Sequence, residues 1–71
     1  MNFCLVADDG EAQVVVGESD VLEHIANYAD YCSQETSKIS VPCKFHVCRR
    51  EPSANGMQRA VIETWEKGVK V

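Results

Sequence analysis

The first 37 residues of this chain contain no lysine or arginine, and no other feature of the sequence is as informative. The same segment carries eight acidic residues, so its formal charge is −8. From Lys38 onward, seven basic residues face three acidic ones, which gives the rest of the chain a charge of +4. The net charge of −4 therefore conceals two oppositely charged segments. Such a separation of charge steers association with a charged partner.

Long apolar runs and glycine-rich motifs are also missing. The longest apolar run, Phe3 to Ala7, has five residues, far below the roughly 20 of a membrane span. No basic region followed by an apolar stretch opens the chain, so we predict no secretory signal and a cytoplasmic protein. The four glycines stand alone, which excludes a phosphate-binding loop. We expect one domain over residues 1–71, and the 45% hydrophobic content argues against disorder.

Four cysteines stand in this short chain. Without a secretory signal, reduced thiols are expected rather than a disulfide framework. Cys43, His46 and Cys48 do not match a standard zinc spacing. Cys4 can join His46 and Cys48 on one sheet face, which leaves a three-ligand zinc site as the alternative. We favour cysteines that act as small hydrophobic residues, and we predict no metal and no cofactor.

The first 17 residues predict a β-hairpin. Phe3 to Ala7 is apolar at every position, as is typical of a strand with neighbours on both sides. Asp8 to Glu11 contains an Asp-Gly turn signal, and Ala12 to Val16 predicts the returning strand. Gly17 is expected to end that strand.

A helix is predicted over residues 20–35. At about 100° per residue, the apolar side chains of this segment fall in one continuous sector and the polar ones in the other. The polar sector includes Asp20, Glu23, Asp30 and Tyr31. Asp20 and Glu23 also have the spacing of a capping box, in which the two side chains satisfy unpaired amides of the first turn.

Residues 39–48 alternate between apolar and polar side chains, which predicts a half-buried third strand. Pro42 has no amide proton to give to a ladder, so we expect this strand at a sheet edge. A polar loop is predicted to follow over residues 49–55.

A second helix is predicted after that loop, with Ser53 or Asn55 as its N-cap. It runs to about Lys67 and ends at Gly68, because glycine is common just beyond a helix C-terminus. Its inner stripe consists of Met57, Val61, Ile62 and Trp65. The last residues, Val69 to Val71, can add a short final strand.

Together these elements predict an α+β domain: a small three-stranded, antiparallel-rich sheet with two helices on one face, in the chain order ββαβα. A right-handed crossover through the first helix makes the second and third strands parallel, and the hairpin makes the first antiparallel to both. The strand order is then 2-1-3. The second sheet face has no element to cover it, so we expect it to bind a second copy or another partner, or to pack loosely against the tail. The side chains on this open sheet face are Cys4, Val6, Val15, His46 and Cys48.

The sequence contains no catalytic motif. Hydrolysis or group transfer needs a nucleophile, a base and an orienting group brought together. His46 and Cys48 lie on the same predicted strand face, but no third group accompanies them, and a 71-residue chain has little room for a substrate cleft. We therefore predict a protein that is not an enzyme.

The basic half of the chain offers an alternative function, nucleic-acid binding through Lys44, Arg49 and Arg50. This cluster is small and matches no recognised nucleic-acid-binding motif, and the eight acidic residues of the other half would repel phosphates. A structural subunit that forms a homodimer through the open sheet face is a further alternative.

The acidic half favours a protein partner with a basic surface. Its predicted binding residues are Asp8, Asp9 and Glu11 at the hairpin tip and Asp20, Glu23, Asp30 and Tyr31 on the helix. An aromatic ring on a polar helix face supplies apolar contact, while surrounding carboxylates steer and pair with arginine or lysine. By analogy of size and charge alone, we predict an inhibitor or adaptor of the phage or mobile-element type. Such proteins can block host nucleic-acid machinery, such as a defence complex, by mimicking nucleic acid. We predict no contact with a membrane.

Overall fold

The computed structural model describes residues 2–53 and 56–71. Their elements, in chain order, are β1 (Phe3–Asp8), β2 (Gln13–Ser19), α1 (Leu22–Lys38), β3 (Lys44–Ser53), β4 (Gly56–Glu66) and β5 (Val69–Lys70). All strand pairs are antiparallel, and the sheet has the order β2-β1-β3-β4-β5. The α+β class is confirmed, whereas the predicted three-stranded sheet with two helices is wrong.

The second predicted helix is the main error, because residues 56–66 form strand β4. This segment contains four β-branched or aromatic residues close together, Val61, Ile62, Thr64 and Trp65. Such side chains suit a pleated strand better than a helix. As a strand, the segment also pairs with the edge of β3, whose backbone groups would otherwise lack partners in the sheet. Of the two predicted helix caps, Ser53 lies in β3 and Asn55 lies outside the described residues.

Gly68, which the sequence predicts as the end of a helix, lies in the turn between β4 and β5. Glu66 and Val69 are paired across this hairpin, so Lys67 and Gly68 form a two-residue loop. Their φ angles are 55° and 78°. Positive φ at both central residues is the requirement of a type I′ turn, which joins tightly paired antiparallel strands.

Strand β3 lies in the interior of the sheet, between β1 and β4, and not at an edge. The edge prediction relied on Pro42, which precedes the first residue of β3. The strand also continues through Arg49 to Ser53, where the sequence predicts a polar loop. Because β3 begins later and ends later than predicted, the proline never enters the ladder.

Helix α1 spans Leu22–Lys38, whereas the sequence predicts residues 20–35. Its fully buried side chains are Ile25, Ala29 and Ser33, which are spaced four residues apart and therefore form one inner stripe. Among the described residues, no helix combines the length and the apolar character that crossing a membrane requires.

The main hydrophobic core lies between α1 and the sheet. Its buried residues are Leu5, Ile25, Ala29, Phe45 and Val47. A second cluster of Cys4, Val6 and Cys48 lies on the opposite sheet face. These three residues are at most 3% exposed although α1 lies on the other side of the sheet. Neighbouring strand side chains must therefore shield them.

Candidate functional site

The outward surface of α1 carries three of the predicted binding residues, Glu23, Asp30 and Tyr31, which we call the acidic helix face. Tyr31 is 59% exposed and lies outside the core cluster. Asp30 Oδ1 accepts a hydrogen bond from Gln34 Nε2 at 2.7 Å. Glu23 and Asp30 are seven residues apart, about 10 Å along the helix, and point in nearly the same direction. Tyr31, the residue after Asp30, points about 100° away from it around the helix axis, so the ring borders the two carboxylates rather than lying in line with them.

Asp20 lies just before this helix and does not cap it. The N-cap residue is Val21 and no side-chain capping bond is formed, so the predicted capping box of Asp20 and Glu23 is wrong. Asp20 Oδ1 instead accepts a hydrogen bond from the Asn2 amide at 2.9 Å. Ser19 Oγ accepts one from the Val21 amide at 3.0 Å. Asp20 therefore ties the beginning of the chain to the start of the helix.

Asp8 belongs both to the hairpin turn and to the open sheet face. Its Oδ1 accepts a hydrogen bond from the Gly10 amide at 2.9 Å, and its Oδ2 accepts one from Gln13 Nε2 at 3.2 Å. The same Oδ2 lies 3.1 Å from His46 Nε2. These hydrogen bonds, of which that from the Gly10 amide is the strongest influence, hold the pKa of the Asp8 carboxyl below its usual range. The Asp8 carboxylate is thus engaged within the fold.

Asp9 stabilises the same turn. Its Oδ1 accepts hydrogen bonds from the amides of Ala12 at 2.8 Å and Glu11 at 2.9 Å, which lower the pKa of its carboxyl. Glu11 is exposed. The hairpin tip lies at one end of β2 and Glu23 follows the other end, and seven strand residues span about 23 Å. The structure therefore divides the predicted acidic surface into a tip and a helix face.

The predicted basic residues do not form one patch. Lys44 and Arg50 share a face of β3 but are about 20 Å apart, whereas Arg49 points to the other face. Arg49 Nη2 lies 2.8 Å from Glu51 Oε1, and Arg50 Nη2 lies 2.5 Å from Glu18 Oε1. These ion pairs reduce the positive charge that a phosphate backbone could use.

The open sheet face bears a shallow depression of about 640 Å³. Strands β1 to β4 all contribute to its lining, which includes His46, Cys48, Gln58, Arg59 and Val61. No ion pair joins Arg59 to an acidic side chain within residues 2–53 and 56–71. The lining thus mixes apolar side chains with polar ones, among them the Asp8 carboxylate and the Arg59 guanidinium.

His46 is held at this depression by two hydrogen bonds. Its Nδ1 lies 2.9 Å from Thr64 Oγ1, and its Nε2 lies 3.1 Å from Asp8 Oδ2. A neutral ring satisfies both contacts when Nε2–H donates to Asp8 and the Thr64 hydroxyl donates to Nδ1. The order carboxylate, imidazole, hydroxyl also occurs in hydrolases. Here the three half-buried side chains connect β1, β3 and β4.

Sequence reasoning missed Thr64 and Arg59, because it assigned their segment to a helix. A β-bulge at Ile62 lets Val61 and Thr64 both lie opposite open-face residues of β3. Without the bulge, residues three apart on a strand would point to opposite faces. The β-branched character of Val61, Ile62 and Thr64 is the signal that could have identified the strand.

The residues of the alternative zinc site also lie on the open sheet face. Cys4 is directly opposite Cys48, and His46 is two residues away on the same strand. Within the part of the chain that the structure describes, no three or more histidine, cysteine or acidic side chains are arranged to hold a metal ion. The four cysteines are free thiols.

Comparison with known proteins assigns no family to this fold and these surfaces. The chain matches no protein-family model, and neither curated proteins nor solved structures gave a significant match. Its function must therefore be inferred from its own residues.

Proposed function

We propose that this chain is a non-enzymatic protein-binding module, an inhibitor or adaptor, that places its acidic helix face on a basic surface of a partner protein. The 59% exposure of Tyr31, on the same helix as Glu23 and Asp30, is the observation that carries this proposal. A tyrosine that packs into no core of its own protein is suited to bury its ring in an interface. The two carboxylates beside it can pair with arginine or lysine of the partner.

The distribution of ion pairs supports the helix as the binding element. On the strands, Glu18, Glu51 and Glu63 are each within ion-pair distance of a basic side chain. Across the described residues, no lysine or arginine forms such a pair with Glu23 or Asp30. Negative charge on the strands is thus largely balanced within the protein, whereas that of the acidic helix face is available to a partner.

The chemistry of this face defines the class of partner. Carboxylates about 10 Å apart along a rigid helix can contact separate basic side chains in one groove. A groove that holds a nucleic-acid backbone offers that arrangement, so a nucleic-acid-handling protein or complex is the partner that fits. The helix would then occupy phosphate positions without being a nucleic acid. Electrostatic pairing of this kind raises the association rate and weakens with salt.

The proposal is tested by affinity capture from the native lysate, with mass spectrometry of the retained proteins. The lysate is divided into nuclease-treated and untreated halves, and the binding constant of the purified partner is then measured at low salt. We expect a specific protein to survive nuclease treatment, and the double variant Glu23→Lys, Asp30→Lys to lose binding. Tyr31→Ala should weaken binding by roughly tenfold or more, as expected for a central aromatic contact.

A matched control separates this surface from net charge. The double variant Glu11→Lys, Glu66→Lys changes the formal charge by the same amount but lies outside the helix. We expect it to retain most of the affinity. Equal losses in the two double variants, or unchanged affinity of the helix variant at low salt, would contradict the proposal.

A further inference from the structure

We propose that Cys4 and Cys48 form a reversible disulfide across β1 and β3, with a peroxide as the oxidant. The two cysteines lie directly opposite each other in the antiparallel ladder. Both are buried in the same small cluster on the open sheet face. Both are free thiols in the structure described above, which is therefore the reduced form of the pair.

The backbone geometry allows this bond and makes it strained. Arg50 N donates to Asn2 O at 2.9 Å. Because hydrogen-bonded pairs alternate along an antiparallel ladder, Cys4 and Cys48, two positions away, also form such a pair. Opposite Cα atoms are then about 5.5 Å apart, within the range of disulfides. Their Cβ atoms, however, are roughly 1.5 Å further apart than a disulfide prefers, so the strands must shift to close the bond. A strained disulfide is readily reduced.

The surroundings of the pair assign different roles to the two thiols. Both thiols are buried, but Cys48 lines the depression on the open sheet face and is 3% exposed, whereas Cys4 does not line it and is 0% exposed. Cys48 is therefore the thiol that meets the oxidant, and Cys4 is the one that resolves the product. Burial raises the pKa of the Cys48 thiol, and the charge of the nearby Arg59 acts in the opposite direction. A nearby guanidinium stabilises a thiolate.

The oxidation is balanced with hydrogen peroxide. The Cys48 thiolate attacks one peroxide oxygen, the O–O bond breaks, and hydroxide leaves and takes up a proton to become water. The sulfenic acid formed on Cys48 is then attacked by the Cys4 thiolate. The S–S bond forms, the S–O bond breaks, and a second water is released. Two thiols are oxidised to one disulfide while one peroxide is reduced to two waters.

Cys32 and Cys43 provide the internal comparison. They lie near each other on the helix side of the sheet, where both pack against the main core. They come from α1 and from the segment before β3, so no strand ladder aligns them. The proposed disulfide and a competing Cys32–Cys43 disulfide are therefore distinguishable products of the same treatment.

The test uses the full chain treated with hydrogen peroxide under native conditions, followed by alkylation of the remaining thiols and tryptic mass spectrometry. In the Cys32→Ala, Cys43→Ala background, Cys4 is the only cysteine of fragment 1–38 and Cys48 lies in fragment 45–49. We expect these two fragments to become linked, and dithiothreitol to release them. For the wild-type chain, additional cleavage at acidic residues separates Cys4 from Cys32, so the test does not depend on the alanine background.

Two single variants test the roles of the thiols. In that background, Cys4→Ala should leave a sulfenic acid on Cys48 that a dimedone probe traps. Cys48→Ala should leave Cys4 largely unmodified. The wild-type rate should rise with pH up to the ordinary thiol value of 9.0 and beyond, because burial raises the pKa of Cys48 and the thiolate is the reacting form.

Three results would overturn the proposal. The first is a Cys4–Cys48 pair that remains reduced while Cys32 and Cys43 are oxidised. The second is a link that forms only in denaturant, and the third is a link that dithiothreitol does not release. Because this site lies on the sheet face opposite α1, none of these outcomes bears on binding by the acidic helix face.

Discussion

The hydroxyl of Ser33 accepts a hydrogen bond from the amide of Gly68, with 3.0 Å between Oγ and N. Ser33 is fully buried on the inner stripe of α1, and its Oγ also donates to the Asp30 carbonyl at 2.9 Å. Gly68 lies in the turn between β4 and β5. One buried hydroxyl thus joins the far end of the sheet to the helix that carries the proposed binding surface.

Substitution of Gly68 tests this junction. Gly68 has a φ of +78°, and a Cβ atom built there would lie 2.9 Å from Gln34 Cγ. We expect Gly68→Ala to lower the free energy of unfolding by about 1–2 kcal/mol, measured by urea denaturation. Gly10→Ala is the matched control, because Gly10 has a φ of +93° but no atom within 4 Å of the added Cβ. A loss at Gly10 as large as that at Gly68 would show that the approach to α1 is unimportant.

The hairpin turn predicts an acid-dependent loss of stability. The folded-state pKa values of Asp8 and Asp9 are both below the ordinary value of 3.8. The ionised carboxylates therefore stabilise the fold fully above that value, and this contribution is lost as the pH falls through the lower folded-state values. Thermal unfolding between pH 2 and 7 should show this decline for the wild type and a shallower one for Asp8→Asn. An unchanged profile in Asp8→Asn would contradict the assignment.

The nucleic-acid alternative has its own test. If Lys44, Arg49 and Arg50 bind phosphates, their joint replacement by alanine should weaken nucleic-acid binding and flatten its dependence on salt. Because Arg49 and Arg50 are engaged in ion pairs, we expect no measurable effect of the triple variant on retention by a nucleic-acid column. A steep salt dependence that disappears in the triple variant would favour the alternative over binding by the acidic helix face.

The homodimer alternative makes a prediction for the open sheet face. Val15 is 39% exposed and Val61 is 60% exposed, and both lie opposite residues of this face. If two copies associate there, the wild type should sediment as a concentration-dependent dimer and Val15→Lys as a monomer. Persistence of the dimer in Val15→Lys would exclude this surface. Sedimentation of Glu23→Lys in parallel separates this association from contacts made by α1.

The first half of the chain was more predictable than the second, because its signals are local. The hairpin depends on a turn signal at Asp9 and Gly10, and the helix on a period that is visible within one segment. The exposure of Tyr31 follows from the same period. The capping box failed because Asp20 bonds to Asn2, a partner from outside the helix.

Residues 56–66 could not be assigned from local spacing alone. Their apolar residues have a spacing that fits a helix. The segment forms a strand because it pairs with the edge of β3, and the spacing of residues within the segment gives no information about that partner. The contact of His46 with Thr64 could not be predicted for the same reason, because it requires both strand β4 and the bulge at Ile62. The division of the acidic residues into a tip and a helix face likewise follows from tertiary structure.

Strand β1 has one partner next to it in the chain and another far along it. The β1–β2 hairpin and the β3–β4–β5 meander can each form by local closure, but Cys4 and Cys48 are 44 positions apart. Joining the two units requires closure of a long loop, which is slow relative to hairpin formation. During synthesis, one edge of the apolar strand β1 remains unpaired until β3 has emerged from the ribosome. The sheet is therefore completed late, and the edge of β1 that pairs with β3 is the part of the nascent chain most prone to aggregation.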